Sequence, residues 1–131
     1  MSGATDTCSQ KLWRDCDKKE VMTESSSGGK KGVKIEAFDL IPIGPLTELS
    51  RVYGRGAEKY ARRNWEKGYE FSKSYAALMR HLTQFWNGED FDQETKVRHL
   101  ASVAFHAFAL LQYSMNDKYK EFDDRPESTK L

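Results

Sequence analysis

The sequence predicts an all-α protein, in which a compact domain of three main helices follows a loose N-terminal segment. Apolar residues recur at steps of three and four in three separate stretches, the pattern of amphipathic helices. No stretch alternates with period two for long enough to predict a strand. With 131 residues the chain suits one domain, and we expect it at residues 34–120, between polar tails at 1–33 and 121–131.

The composition excludes several classes of function. Lys and Arg number 21 against 20 Asp and Glu, a net charge of +1, so no global positive field marks a general nucleic-acid binder. Cys8 and Cys16 lie in the polar tail with no histidine nearby, which indicates a reducing compartment rather than a disulfide framework or a zinc site. The N-terminus lacks a signal-peptide run, and no stretch reaches the roughly 20 apolar residues of a membrane span. We expect a cytoplasmic protein with no membrane or stable nucleic-acid partner.

The first third of the chain carries little helical pattern. Residues 1–33 are polar and end in "ESSSGGKKG", so we expect a tail that is partly disordered or docked. Its Trp13, next to Leu12, is the side chain that would dock. The stretch "KIEAFDLIPIGPL" follows, where Pro42 and Pro45 exclude a helix interior and predict a rigid entry loop.

The first helix is predicted from Pro45, which suits a first helical turn. Gly54 and Gly56 each cost about 1 kcal/mol relative to Ala inside a helix, which leaves a kink or break there open. Its apolar positions are Leu46, Leu49, Tyr53, Ala57 and Tyr60.

The second helix is predicted after the loop "RRNWEKGYEFSKS", which closes with a serine cap, and ends near Asn87 and Gly88. A third helix is predicted from Asp92 to about Tyr119, and the polar tail "DKYKEFDDRPESTKL" should fray. The apolar positions of the second helix are Tyr75, Leu78, Met79, Leu82, Phe85 and Trp86. Those of the third are Val97, Leu100, Val103, Ala104, Ala107, Leu110 and Leu111.

An acidic cluster lies in "NGEDFDQETKVRHL", residues 87 to 100. If the third helix begins at Asp92, then Asp92, His99 and His106 share one face, because seven residues turn through about 700°. Glu89 can converge on that face from the end of the second helix, whereas Glu94 would point elsewhere.

Two interpretations of this cluster stay open. Three carboxylates at a helix junction can hold a hard divalent cation, Mg²⁺ or Mn²⁺, which prefers oxygen ligands. Alternatively Asp92 is an N-cap, Glu94 complements the helix dipole and Glu89 is a solvated turn residue. His106, between two phenylalanines, is predicted to be a packed core residue.

A basic cluster lies in "RVYGRGAEKYARRNWEKG", which begins at Arg51. Arg63, Asn64 and Trp65 at its end can bind phosphate or sugar and stack on a base. The structural alternative is that Trp65 closes the core and Arg63 covers it. Arg80 and His81 on the second helix are expected to face a cleft.

Four motifs together resemble a known family. "FDLIP" at 38–42, "GAEKYARRNWEKG" at 56–68, "RHL" at 80–82 and "GEDFDQET" followed by His99 are similar, in order and spacing, to the phage and bacterial dATP/dGTP pyrophosphohydrolases. These are MazG-like, all-α nucleotide pyrophosphatases. The resemblance implies a homo-oligomeric helical bundle, a dimer or tetramer, that hydrolyses purine deoxynucleoside triphosphates between the α and β phosphates. It also implies Mg²⁺ or Mn²⁺, more than one ion per site, and in some phages a supply of dGMP for 2-aminoadenine DNA.

The resemblance also implies roles for individual residues. Carried over by motif, the catalytic residues are Glu89, Asp92, Glu94 and His99, and the first three of these would be the metal ligands. The substrate-binding residues would be Asp39, Lys59, Tyr60, Arg63, Asn64, Trp65, Arg80 and His81. Two features depart from the family: Lys96 stands where a glycine is usual, and the Glu-Glu-x-x-Glu helix of MazG proteins is absent. A noncatalytic helical protein that binds nucleic acid or a partner, and a triphosphohydrolase that releases tripolyphosphate, are the alternatives.

Overall fold

A computed structural model describes residues 21–127 of the chain. The predictions about Cys8, Trp13 and Cys16 lie outside this range. The chain divides between Pro42 and Ile43 into two compact units. Within the described range, no helix is long and apolar enough to cross a bilayer.

The first unit contains a β-hairpin, so the prediction that the chain forms no strand is wrong. Strand β1 (Val21–Glu24) pairs antiparallel with β2 (Lys30–Val33), with Val21 opposite Val33. Gly28 supplies the positive φ of 85° that the connecting turn requires. Because each strand has four residues, neither is long enough to show a period-two pattern. A single 3-10 turn, Phe38–Leu40, follows.

The second unit confirms the three predicted main helices. They are α1 (Ile43–Lys59), α2 (Phe71–Trp86) and α3 (His99–Ser114), and two short 3-10 helices lie at Asn64–Lys67 and Asp117–Phe122. Helices α2 and α3 are antiparallel neighbours, since the first residue of α2 stacks on Tyr113 near the end of α3. Helix α1 packs against α3.

Helix α1 begins two residues before the predicted Pro45 and runs without a break through Gly54 and Gly56. Neither glycine meets a neighbouring atom at the position of a Cβ, so both are ordinary helical residues on an open surface. Leu49 is its most buried side chain.

The start of α2 differs from the prediction, because no serine caps it. Ser74 lies inside the helix and is buried. Instead Asp124, from the C-terminal segment, accepts a hydrogen bond from the Ser72 amide at 2.9 Å and a second from the Ser72 hydroxyl. The capping carboxylate is therefore 52 residues away along the chain, a distance that no local motif can reveal.

Helix α3 begins at His99, so the prediction of a helix from Asp92 to about Tyr119 is wrong at both ends. Residues 91 to 98 form a tight loop closed by a β-bridge between Phe91 and Arg98. Lys96 in this loop has φ = 64°, a left-handed conformation that a helix interior does not permit. At the other end, Asn116 caps a separate 3-10 helix.

The core joins the C-terminal segment to the helices, and the prediction that this segment frays is wrong for Asp117–Phe122. Tyr119 is 3% exposed and packs beside Tyr113, with ring centroids 4.6 Å apart. The Tyr113 hydroxyl donates to the Trp65 carbonyl at 2.5 Å, and the Tyr119 hydroxyl donates to the Glu66 carbonyl at 2.6 Å. These two bonds attach the loop before α2 to the core.

Candidate functional site

A cavity of about 550 Å³, the central cleft, opens in the second unit between α1, α2, α3 and the loop that precedes α3. Its lining combines charged, polar and aromatic side chains. The charged ones are Arg55, Lys59, Arg62, Arg80, Asp92 and Glu94; the polar ones include Asn64, Gln84, His81 and His106; the aromatic ones are Tyr53, Tyr60, Trp65, Tyr69 and Phe105. Most residues that the sequence motifs had indicated therefore meet in one cavity.

Four cations face this cleft, and a polyanion is the ligand such a set favours. Lys59 and Arg80 were predicted to bind the substrate, whereas Arg55 and Arg62 were given no role at the site. The spacing of four between Arg55 and Lys59 on α1 was the available signal. Arg63 is placed differently: it is exposed and pairs with Glu66 at 2.7 Å rather than lining the cleft.

The structural alternative for Trp65, that it closes the core, is confirmed, and its stacking on a base stays a prediction. Trp65 packs against the core and also lines the cleft, edge-on to Tyr53 with ring centroids 6.3 Å apart. Tyr53 in turn meets Phe105 of α3 at 4.9 Å. Tyr53 was predicted only as an apolar position of the first helix, and Phe105 was given no role at the site. Their rings cross at 70°, so with Trp65 they form an angled aromatic wall of the cleft, and aromatic ring faces are surfaces on which bases stack.

The histidines of α2 and α3 form a hydrogen-bonded pair beneath the cleft. His81 Nδ1 lies 2.9 Å from His99 Nδ1, so in the neutral pair one nitrogen carries the hydrogen and the other accepts it. The Nε2 of the fully buried His99 lies 3.5 Å from Glu89 Oε1. A lone pair on His99 Nε2 would be repelled by the Glu89 carboxylate. The favoured tautomer of His99 therefore carries its hydrogen on Nε2. His81 then donates through Nδ1 and keeps a basic Nε2.

His106 stacks on His81 with ring centroids 6.2 Å apart and is edge-on to Phe105. Its Nδ1 is buried without a hydrogen-bond partner. Burial, with smaller contributions from His81 and Arg80, lowers the pKa of His106 to about 4. Burial also lowers the pKa of His81, although the nearby Asp92 opposes that shift. His106 is half-buried: it packs against His81 and Phe105, and it also lines the cleft.

The pKa of His106 gives an expected dependence of stability on pH. An unfolded histidine titrates near 6.5, so between pH 6.5 and 4 the unfolded chain binds a proton that the folded chain excludes. The stabilisation is fully present above pH 6.5 and falls by up to about 3 kcal/mol as the pH approaches 4. Urea titrations at pH 7.5 and 4.5 measure the loss. The variant His106→Gln should lose less unfolding free energy between pH 7.5 and 4.5 than the wild type. An equal loss in both proteins would show that another group causes the pH dependence.

The loop before α3 presents the acidic cluster. The Asp92 carboxylate accepts bonds from the Glu94 amide at 3.1 Å and from the Thr95 hydroxyl at 3.0 Å. Desolvation is the largest single influence and raises the pKa of Asp92, but these two bonds and the histidines together lower it. Glu94 is exposed and lines the same cleft, so the expectation that it points elsewhere, which assumed a helix, is wrong. Asp92 and His99 do not share a helix face either.

The carboxylates do not by themselves form a closed metal site. Within residues 21–127, no three His, Cys, Asp or Glu side chains converge as metal ligands would. Mg²⁺ commonly keeps several waters and binds through one or two carboxylates together with substrate phosphates. Asp92 and Glu94 at the cleft, with Glu89 beside His99, are the side chains that would hold such a cation, and this ligand set stays a prediction.

Lys96 has φ = 64°, a left-handed conformation that favours glycine, the residue that the family resemblance led us to expect here. Lys96→Gly should therefore raise the free energy of unfolding by about 0.5–1 kcal/mol. Lys73→Gly, at a helical position of α2, should lower it by about 1 kcal/mol. Chemical denaturation compares the two variants, and equal destabilisation by both would contradict a strained Lys96.

Asp39, the remaining predicted substrate-binding residue, lies in the 3-10 turn of the first unit. The residues that line the central cleft all belong to the second unit. The predicted residues that line it are Lys59, Tyr60, Asn64, Trp65, Arg80, His81, Asp92 and Glu94.

Comparison with known proteins identifies the family to which the chain belongs. The family model described as "dATP/dGTP diphosphohydrolase, N-terminal" matches residues 25–125. A dATP/dGTP diphosphohydrolase of Salmonella phage PMBT28 is 35% identical over 57 residues, which are 44% of this chain and 19% of that protein. The chain thus matches about a fifth of that relative's length. No solved structure is significantly similar. Since the family match covers more than half of its length, the chain belongs to the dATP/dGTP diphosphohydrolase N-terminal family.

Proposed function

We propose that this protein hydrolyses dATP and dGTP between the α and β phosphates, releasing the monophosphate and pyrophosphate. The observation that carries the proposal is the central cleft, in which four cations and two carboxylates surround an aromatic wall. A triphosphate with about four negative charges, a metal ion and a base needs these three kinds of contact. The relative's name and the family match support the purine substrates.

In this proposal the basic residues bind the phosphates. Lys59 and Arg80, with Arg55 and Arg62, would neutralise the triphosphate and the charge that develops on the leaving pyrophosphate. Because these side chains come from α1, α2 and the segment between them, the phosphates would lie across the three elements rather than along one helix. Trp65 and Tyr53 supply the surface for stacking of the base.

The acidic residues would hold Mg²⁺ or Mn²⁺, and more than one ion per site is part of the proposal. Asp92 and Glu94 line the cleft, and Glu89 lies beside His99, with its Oε1 3.5 Å from His99 Nε2. A bound ion would screen the phosphates and lower the pKa of a water molecule. His81, whose Nε2 keeps its lone pair in the favoured tautomer, can accept a hydrogen bond or a proton at the cleft wall.

The biological role and the assembly are further parts of the proposal. Supply of dGMP for phage DNA that contains 2-aminoadenine rests on the family resemblance. Self-association as a dimer or tetramer is supported by the small core: within residues 21–127, only seven hydrophobic side chains are buried.

The test is direct. The protein is incubated with each of the four deoxynucleoside triphosphates and with Mg²⁺, Mn²⁺ or a chelator, and the products are identified by phosphorus NMR. Monophosphate and pyrophosphate from dATP and dGTP, formed only with the metal, would support the proposal. Tripolyphosphate would replace it with a triphosphohydrolase, and absence of turnover, with salt-sensitive binding to nucleic acid, would favour a noncatalytic binding protein.

A further inference from the structure

A second cavity, of about 620 Å³, lies between α1 and the loop at residues 91 to 98. Its volume falls within the roughly 300–1,000 Å³ of ligand sites, and of the residues that the proposed function uses only Arg55 lines it. More cations than carboxylates face this cavity, which favours an anion as its ligand. The cations are Arg51 and Arg55 of α1 with Lys96 and Arg98 of the loop, and the carboxylates are Glu48 and Glu58.

Contacts inside the protein hold two of the guanidinium groups in place. Glu48 pairs with Arg51, one helical turn away, and also with Arg98, whose Nε lies 3.5 Å from Glu48 Oε1. The Arg98 guanidinium also lies over the Phe91 ring, 4.6 Å from its centroid. A guanidinium has several N–H donors, so pairing with one carboxylate leaves further donors for a ligand. Donors from α1 and from the loop are therefore held close to each other.

Lys96 stands in a strained conformation on the wall of this cavity. Its φ of 64° is one that glycine adopts with less strain, so a lysine here lowers stability. Residues in such conformations persist only where the surrounding structure holds them, and they cluster at ligand sites. The loop does hold Lys96, because its amide donates to the Asp92 carbonyl at 2.8 Å and the Asp92 amide donates to the Val97 carbonyl at 2.8 Å. A bound anion would explain why a positive charge is kept at this position.

Two of the four cations have no carboxylate partner. Within residues 21–127, neither Arg55 nor Lys96 forms an ion pair. A ligand that satisfies guanidinium and ammonium groups from two walls needs several oxygens and more than one negative charge. A pyrophosphate group meets both needs, because each of its phosphoryl units offers oxygens to a guanidinium fork and to a lysine. A single carboxylate would satisfy one guanidinium and leave the other cations unpaired.

We propose that the second cavity binds a pyrophosphate group, either as the free anion or as part of a nucleoside diphosphate or triphosphate. Arg51 and Arg98 would bind the oxygens of the phosphoryl units, and Lys96 would neutralise their charge. These three residues line only the second cavity, whereas Arg55 lines both cavities, so the two sites are neighbours that can be altered separately. Binding here requires no turnover and does not depend on the reaction proposed for the central cleft.

The test is a titration of the isotope-labelled full chain with inorganic pyrophosphate, without divalent metal and at constant ionic strength, followed by NMR of the backbone amides. The amides of Phe91 and Arg98 should shift saturably, with a Kd below about 1 mM. Lys96→Gln, which removes a charge at similar length, should raise this Kd at least about tenfold. Lys120→Gln, the same change at an exposed residue of the C-terminal 3-10 helix, is the matched control and should leave it within about twofold.

Lys59→Gln separates the two sites, because Lys59 lines the central cleft and not the second cavity. This variant should weaken any shifts of the Asn64 and Trp65 amides at the cleft and leave those of Phe91 and Arg98 unchanged. Loss of the Phe91 and Arg98 shifts in Lys59→Gln would assign them to the cleft and overturn the proposal.

Circular dichroism establishes that the variants are folded, and Arg51→Gln is a second variant should Lys96→Gln unfold. Absence of saturable shifts, equal binding of sulfate, or an unchanged Kd in both Lys96→Gln and Arg51→Gln would overturn the proposal. A parallel titration with dADP distinguishes the sources of the group: tighter binding of dADP would support a nucleotide as the occupant, and tighter binding of pyrophosphate would support the free anion. Turnover of dGTP is measured separately, so an inactive protein that binds pyrophosphate here would count against the proposed reaction and not against this site.

Discussion

Glu89→Gln is expected to lower kcat for dGTP and dATP by at least about 100-fold while leaving the helical content unchanged. The substitution keeps the size of the side chain and removes the negative charge that lies 3.5 Å from Nε2 of the buried His99. Without that charge, nothing favours the His99 tautomer with hydrogen on Nε2, which is the tautomer that leaves a lone pair on Nε2 of His81. The variant also lacks the Glu89 carboxylate that is proposed to hold a metal ion. Steady-state kinetics with saturating Mg²⁺ or Mn²⁺ give the measurement.

A matched control is Glu121→Gln, the same change at an exposed position of the C-terminal 3-10 helix, which should retain wild-type kcat within about twofold. Asp92→Asn should resemble Glu89→Gln in activity, but it should also lower stability slightly, because Asp92 accepts two bonds that hold its loop. Full activity of both Glu89→Gln and Asp92→Asn would show that the acidic cluster is not needed for the proposed reaction.

Gly68→Ala is expected to lower the free energy of unfolding by about 3 kcal/mol, which would lower Tm on the order of 15 °C. Gly68 has φ = 82° and ψ = 154°, a conformation essentially restricted to glycine. A Cβ at this position would also lie 2.8 Å from ring atoms of both Tyr119 and Phe122. The glycine lets the loop before α2 pass directly against the C-terminal 3-10 helix.

Gly54→Ala provides the contrast, since this residue lies in α1 with ordinary helical backbone and open space around it. Alanine there should raise stability by about 0.5–1 kcal/mol. Thermal and urea denaturation of both variants measure the difference. Equal effects of the two substitutions would mean that neither the backbone conformation nor the aromatic contacts of Gly68 matter.

The locations of the helices could be predicted because their signal is local. Apolar residues at steps of three and four identified α1, α2 and most of α3, and the Asn87-Gly88 pair marked the end of α2, where Gly88 has φ = 98°. The hairpin was missed because strands of four residues are too short for a pattern. The start of α3 was misplaced because Asp92 bonds within its own loop, a choice that competes with helix capping.

The candidate site was predicted in its residue types and only in part in its arrangement. The motifs indicated Lys59, Trp65 and Arg80, and the fold brings these three to one cavity. It directs Arg63 to Glu66 instead, and it adds Tyr53, which was predicted only as an apolar position of the first helix, and Phe105, which was given no role at the site. The histidine pair joins residues 18 positions apart on antiparallel helices, a contact that no local period encodes.

Residue type and short-range spacing were enough to predict the all-α class of the main domain, the approximate positions of the helices and the residue types of the site. They could not predict which charges meet, that Asp124 caps α2, that Tyr119 belongs to the core, or that His81 and His99 share a hydrogen bond. The physical reason is that these contacts depend on how the helices pack and on where loops such as 91 to 98 turn, which are settled by burial and hydrogen bonding across the whole unit.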